Sequence, residues 1–167
     1  KITASISIVK VIVYSFVNES GSTLKTTIFN GVEKTDEFFS LVNNGLNVQV
    51  KKDDVAFDYV AGQKIDIDGK YYFYIYDNIG NFEERTIVLD TTAPSVVVNQ
   101  GTDLTAEVSI CIDITDAVRV EIIHTGVAIT EKNVLAEQSY SFTDWGTYSI
   151  KVFDDLGNFS TANFEIK

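Results

Sequence analysis

The chain has 167 residues, with 13 basic and 24 acidic side chains for a net charge of −11, and 45% of it is hydrophobic; it holds one His, one Cys, one Pro and no Met. That hydrophobic fraction is normal for a folded protein, and the length fits one large domain or two small ones. The acidic excess, with no basic run longer than Lys51-Lys52, argues against nucleic-acid binding, and the single His and Cys leave no material for a His-based triad, a Cys/His zinc site or an intrachain disulfide. No run approaches about 18 consecutive apolar residues, so no direct membrane insertion is expected. A chain without Met, at position 1 as elsewhere, is expected of an internal piece of a longer protein.

In chain order, the first stretch alternates irregularly. Ile2-Thr-Ala-Ser-Ile-Ser-Ile8 resembles Leu104-Thr-Ala-Glu-Val-Ser-Ile110, which would make residue 1 the start of a second strand in a domain lacking its first. In that register the unit carries roughly 25 extra residues as an insertion near 35–47, and Thr35 to Leu46 has room for a short helical turn. In the other register Ile2–Ile8 is the first strand and Val11–Val17 the second. Both stay open at this point.

Residues 69–82 are the informative stretch, because they recur. Gly69, Tyr71, Asp77, Gly80, Asn81 and Phe82 match Gly146, Tyr148, Asp154, Gly157, Asn158 and Phe159 without a gap at an offset of 77. A repeat of this kind sets the domain count at two. Between the copies, Leu89-Asp90-Thr91-Thr92-Ala93-Pro94 carries the only proline, as a short stiff linker would. The expected domains are therefore 1–90 and 91–167. Each copy reads as a strand, a turn needing a positive φ at Gly80 or Gly157, and a second strand. The second unit predicts strands near 95–99, 105–114, 117–124, 127–130, 137–143, 146–154 and 159–166, each with period-2 alternation. Many short strands at such spacing make an all-β sandwich.

The pattern Gly-x-Tyr-x-x-x-(Ile/Val)-x-Asp-x-x-Gly-Asn-Phe, followed by a strand and then Asp90-Thr-Thr-Ala-Pro94, resembles the bacterial immunoglobulin-like domains that occur as tandem arrays in large surface proteins and adhesins. The resemblance covers 91–167 and the last third of 1–90. It implies two tandem immunoglobulin-like β-sandwiches and an extracellular, cell-surface or cell-wall setting, with neighbouring domains of the same protein as partners.

Tyr71 and Tyr148 stand where a strand begins after Gly, the position of a tyrosine corner whose hydroxyl returns to nearby backbone. If Tyr71, Phe73 and Ile75 face inward, Tyr72, Tyr74 and Tyr76 face outward, because successive side chains leave opposite faces of a strand. Their counterparts are Ser149, Lys151 and Phe153, so the repeat does not demand three aromatics there. Such a row suits a host or cell-wall glycan or a partner protein. Acidic residues recur in predicted loops: Asp66, Asp68, Asp90, Asp116, Asp154 and Asp155. Converging at the junction, they would form an oxygen-only cluster suited to calcium, the one cofactor the sequence admits. The leading expectation is nonetheless no cofactor, because Asp favours turns through local side-chain to backbone bonds, with calcium as the alternative. Cys111 falls on the outer side of its strand, His124 reads as a surface residue, and Trp145 is expected to be partly buried.

These features predict no enzyme. They predict a structural stalk or adhesion module of a secreted or cell-surface bacterial protein. The alternatives are a glycan- or protein-binding module that uses the tyrosine row, such as an accessory to a secreted glycoside hydrolase, and a segment of a surface layer or fibre.

Overall fold

A computed structural model of the chain describes residues 12–113, 115–133 and 139–167. It divides into two compact units, Lys1–Asp90 and Thr91–Lys167. Among the described residues every regular element is a strand, and no helix is long and apolar enough to cross a membrane.

The first unit holds β1 (Tyr14–Asn18), β2 (Thr27–Phe29), β3 (Val32–Thr35), β4 (Phe39–Asn43), β5 (Asn47–Lys52), β6 (Val55–Phe57), β7 (Gly69–Tyr76) and β8 (Phe82–Leu89). β1 and β4 pair antiparallel in one sheet, and the order β2-β3-β8-β7-β5-β6 makes the other. Alternation along β7 sends Tyr71, Phe73 and Ile75 into the core, where β8 adds Ile87 and Leu89, β4 adds Phe39 and Leu41, and β1 adds Phe16. Rings meet edge to face there, Phe16 against Phe73 at 4.9 Å and Phe16 against Phe39 at 5.8 Å. That geometry sets each ring's positive edge on its neighbour's negative face, and each buried ring contributes roughly 1.5–3 kcal/mol by burial.

The second unit holds β9 (Val96–Asn99), β10 (Val108–Ile112), β11 (Arg119–His124), β12 (Val127–Asn133), β13 (Ser139–Phe142), β14 (Gly146–Phe153) and β15 (Phe159–Ile166). Its sheets run β13-β10-β9 and β12-β11-β14-β15. Val108, Ile110 and Ile112 face Val120, Ile122, Tyr148, Ile150 and Val152 across the core.

Superposing the strand orders identifies each element of the first unit. β4 pairs with β1 as β10 pairs with β9, and β5, β7 and β8 pair as β11, β14 and β15 do. The second strand is therefore β4, and its first-strand partner is β1. This corrects the expected insertion near 35–47 and the expected helical turn from Thr35 to Leu46. Those residues are the end of β3, all of β4 and the start of β5, because Phe39-Ser-Leu41 alternates as a buried strand. The extra chain lies earlier, at 19–38, where the β2–β3 hairpin joins the large sheet through a parallel pairing of Lys34 with Val88 and Thr35 with Leu89. The backbone N–H of Asp90 donates to Thr35 O at 3.0 Å, and the buried Thr35 hydroxyl donates to Lys25 O at 2.9 Å. Glu33 of the hairpin grips Arg85 of β8 through both carboxylate oxygens, and Arg85 holds it below the usual carboxylate range. The Ile2–Ile8 segment lies outside the described residues.

Among the described residues of the first unit, no regular strand takes the place of β13. Only Ile65 bridges to Phe39, and the hydroxyl of Tyr59 stands in for missing backbone: it accepts from Leu41 N–H at 2.8 Å and donates to Gln63 O at 2.8 Å. Burial pushes the Tyr59 phenol up, with the Leu41 bond opposing.

In both units the described chain runs from one pole to the other. In the first, Tyr14 at the start of β1 donates to Glu83 at the start of β8, while the chain leaves at the far end of β8. In the second, Gln100 just past β9 donates to Glu165 O near the end of β15, so β9 and β15 advance together.

Candidate functional site

The repeated Asp-x-x-Gly-Asn segments are built alike. Asp77 Oδ1 accepts from the N–H groups of Ile79 (2.9 Å) and Asn81 (3.0 Å), and its Oδ2 accepts from Asn81 Nδ2 at 2.7 Å. Asp154 does the same with Leu156 (2.9 Å), Asn158 N (2.8 Å) and Asn158 Nδ2 (2.7 Å). Gly80 and Gly157 take φ of 98° and 94°, which L side chains rarely adopt. The motif's carboxylate is thus an internal turn staple, and Asp154 is 3% exposed.

Tyr71 donates to Ile67 O at 2.7 Å and Tyr148 to Asp144 O at 2.9 Å, the same four-residue return in both units. Burial, aided by the charges of Asp53, Asp66 and Asp68, pushes the Tyr71 phenol up to about 12. Two such corners on sandwiches with the same strand order decide the fold. The chain is a tandem pair of immunoglobulin-like β-sandwiches.

The first immunoglobulin-like unit carries the tyrosine row on the outer face of β7. Register places Tyr72 between Lys51 and Thr86, Tyr74 between Gln49 and Glu84, and Tyr76 between Asn47 and Phe82. The three tyrosines are half-buried, while Phe82 is 55% exposed. Tyr74 lies 5.2 Å from Tyr76 and 5.4 Å from Phe82, with ring planes tilted by 32° and 34°. The Tyr72 hydroxyl donates to Glu84 at 2.7 Å, and that bond raises its pKa. Lys51 Nζ sits 6.0 Å from the Tyr72 ring centre. The matching face of the second unit carries Phe153 against Phe159 at 5.4 Å and Arg119 over Phe153 at 3.7 Å, so an aromatic at the Tyr76 position recurs. Tyr72 and Tyr74 are the additions.

The six aspartates divide between the units. Asp66, Asp68 and Asp90 belong to the first, and Asp116, Asp154 and Asp155 to the second. Asp66 pairs with Lys64 at 3.3 Å. Carboxylate oxygens of Asp116 and Asp154 lie within 4.8 Å of one another. Calcium takes six to eight oxygen ligands, to which such carboxylates could contribute, and the Asp154 carboxylate also staples its own turn.

The lone reactive side chains are placed as packing elements. Cys111 is half-buried between buried Ile110 and Ile112. His124 stacks on Tyr148 at 4.3 Å, with its Nε2 2.9 Å from Trp145 O, and it closes over Gly146, where a Cβ would sit 2.5 Å from the ring. Trp145 is 73% exposed rather than partly buried, because the loop before Gly146 turns its ring away from the sandwich while its carbonyl faces His124. Tyr59, the Glu33–Arg85 pair and the Asp77 and Asp154 staples were not singled out from the sequence. The Asp-x-x-Gly-Asn repeat was the available signal for the last.

No family model and no curated protein matches the chain. Among solved structures it is similar to fibronectin(III)-like modules of Clostridium thermocellum CbhA, at 14% identity over 86% of this chain and 94% of that one, with a TM-score of 0.32. A titin tandem is similar at 10% identity over 91% and 87%, with a TM-score of 0.29. A Ca2+-stabilized, ice-binding adhesin of an Antarctic bacterium is similar at 14% identity over 90% of this chain and 46% of that one, with a TM-score of 0.26.

Proposed function

We propose that the chain is a non-catalytic spacer and adhesion segment of a secreted or cell-surface bacterial protein. The carrying observation is the polarity of each unit: its described first and last strands advance in the same direction, and the last is eight residues long. A module of this kind advances its neighbour by about 27 Å at 3.4 Å per residue, which is what a stalk requires. The polar side chains that chemistry would need support the same reading, since Asp77, Asp154, Tyr59, Tyr71, Tyr148 and Arg85 all serve turns, corners and strand pairing. Net charges of −4 over 1–90 and −7 over 91–167 keep neighbouring copies apart.

The test is display on a Gram-positive cell between a wall anchor and an epitope tag. Antibody access to the tag should rise relative to a display lacking the chain. Equal access would contradict the spacer reading.

A further inference from the structure

We propose that the outer face of β7 binds a neutral polysaccharide, with Tyr72, Tyr74 and Phe82 as the stacking surface and Gln49, Glu84 and Lys51 as its polar rim. This goes beyond the spacer reading and does not depend on it.

The second unit supplies an internal comparison. The same strands in the same register carry Ser149 and Lys151 where the first unit has Tyr72 and Tyr74. Neither aromatic is needed to build the sheet, yet Tyr74 packs against the rings of Tyr76 and Phe82, and Tyr72 extends the row between Lys51 and Glu84. Tyr74 sits in the middle of the row, its ring plane tilted by 32° to Tyr76 and by 34° to Phe82, so the three form one contiguous aromatic patch. A ring face carries negative charge density, and the C–H face of a pyranose presents slight positive charge, so the two are complementary without any ionic group.

The rim fits hydroxyls. Gln49 and Asn47 are exposed amides on β5, and Glu84 is an exposed carboxylate that already orients the Tyr72 hydroxyl. Amides and carboxylates together offer the donors and acceptors that vicinal hydroxyls need. Lys51 and Glu84 cancel in charge across the row, which favours a neutral chain over an anionic one.

Size separates a glycan from a protein. Tyr72 to Tyr76 spans about 14 Å along the strand, and β5 to β8 spans about 10 Å across it. That strip of roughly 140 Å² is far below the roughly 800 Å² per partner of a stable protein interface. It is on the scale of a short run of sugar rings.

The intact chain is titrated with hexasaccharides of β-linked glucose, xylose and N-acetylglucosamine, reading amide shifts by NMR. At least one should saturate, with shifts confined to Gln49, Tyr72 to Tyr76 and Phe82 to Glu84. Tyr72→Ser/Tyr74→Lys installs the residues that the second unit already carries, and it should weaken binding at least about tenfold while the melting midpoint holds. If that variant fails to fold, Gln49→Ala/Glu84→Gln is read in its place, with weakened binding again expected. Saturation by none of the three sugars overturns the proposal, as does undiminished binding by the folded variant or shifts confined to the second unit. Shifts on this face that follow protein concentration without sugar mark self-association and also overturn it.

Discussion

Tyr59→Phe deletes one oxygen from the place where the first unit lacks a regular strand. That oxygen accepts from Leu41 N–H at 2.8 Å, and Leu41 is fully buried on β4. Phe fills the same volume, so packing against Phe73 at 5.9 Å is kept and only the hydroxyl's two bonds are lost, of which the one to the exposed Gln63 carbonyl can be replaced by water. Leaving a buried N–H without a partner costs about 1–3 kcal/mol. A midpoint near 2 kcal/mol should lower the first unit's melting temperature by roughly 10 °C, at 4–8 °C per kcal/mol for a domain of this size. Tyr71→Phe is the control. It frees only the carbonyl of Ile67, a residue 61% exposed, and water can replace that bond, so its cost should stay below about 1 kcal/mol. Urea unfolding of the intact chain, followed by amide exchange resolved by residue, measures both. Equal losses in the two variants, or a Tyr59→Phe loss below about 0.5 kcal/mol, would refute the substitution of a hydroxyl for strand backbone.

The other predictions concern turns and ionisation. Asp54 sits at φ 68° in the β5–β6 turn, where the second unit has Gly126, so Asp54→Gly should stabilise the first unit by up to about 1 kcal/mol in urea unfolding. Asp154→Ala strips the buried carboxylate that accepts from two half-buried backbone N–H groups and should cost about 2 kcal/mol, more than Asp77→Ala in its more exposed turn, compared by calorimetry. Tyr71 ionises at about 12 in the folded chain against about 10 unfolded, so its contribution is whole below pH 10 and is lost as pH rises through 12. Tyr71→Phe should flatten the alkaline fall of the first unit's midpoint. On the acid side Glu33, Asp53, Asp103 and Asp113 all lie below their ordinary values, so stability present near neutrality should drain as pH falls below about 4.

The two-sandwich architecture was legible because one hairpin is repeated almost residue for residue, and because period-2 alternation survives in most of 96–166. The start of the first unit was not. Phe39-Ser-Leu41 is a short strand with no flanking signal, and the likeness of Ile2–Ile8 to Leu104–Ile110 pulled the register away from it. A parallel pairing such as β3 with β8 leaves no local trace, since its partners lie more than fifty residues apart. The tyrosine row was readable from alternation alone, although neighbouring side chains cover more of it than an exposed strand implies. Asp77 and Asp154 show the opposite case: the motif was visible, but that each carboxylate staples its own turn was not.

Force extension of the intact chain, pulled from its two termini, tests the account most directly. Unravelling 91–167 releases 77 residues. At about 3.6 Å each, less a folded span of about 27 Å, that is a step of roughly 250 Å. Two discrete steps are predicted, one from each sandwich, with the 90 residues of the first unit giving the longer one, roughly 300 Å by the same arithmetic. A single step of the combined length, or smooth extension with none, would contradict a chain of two independent load-bearing modules.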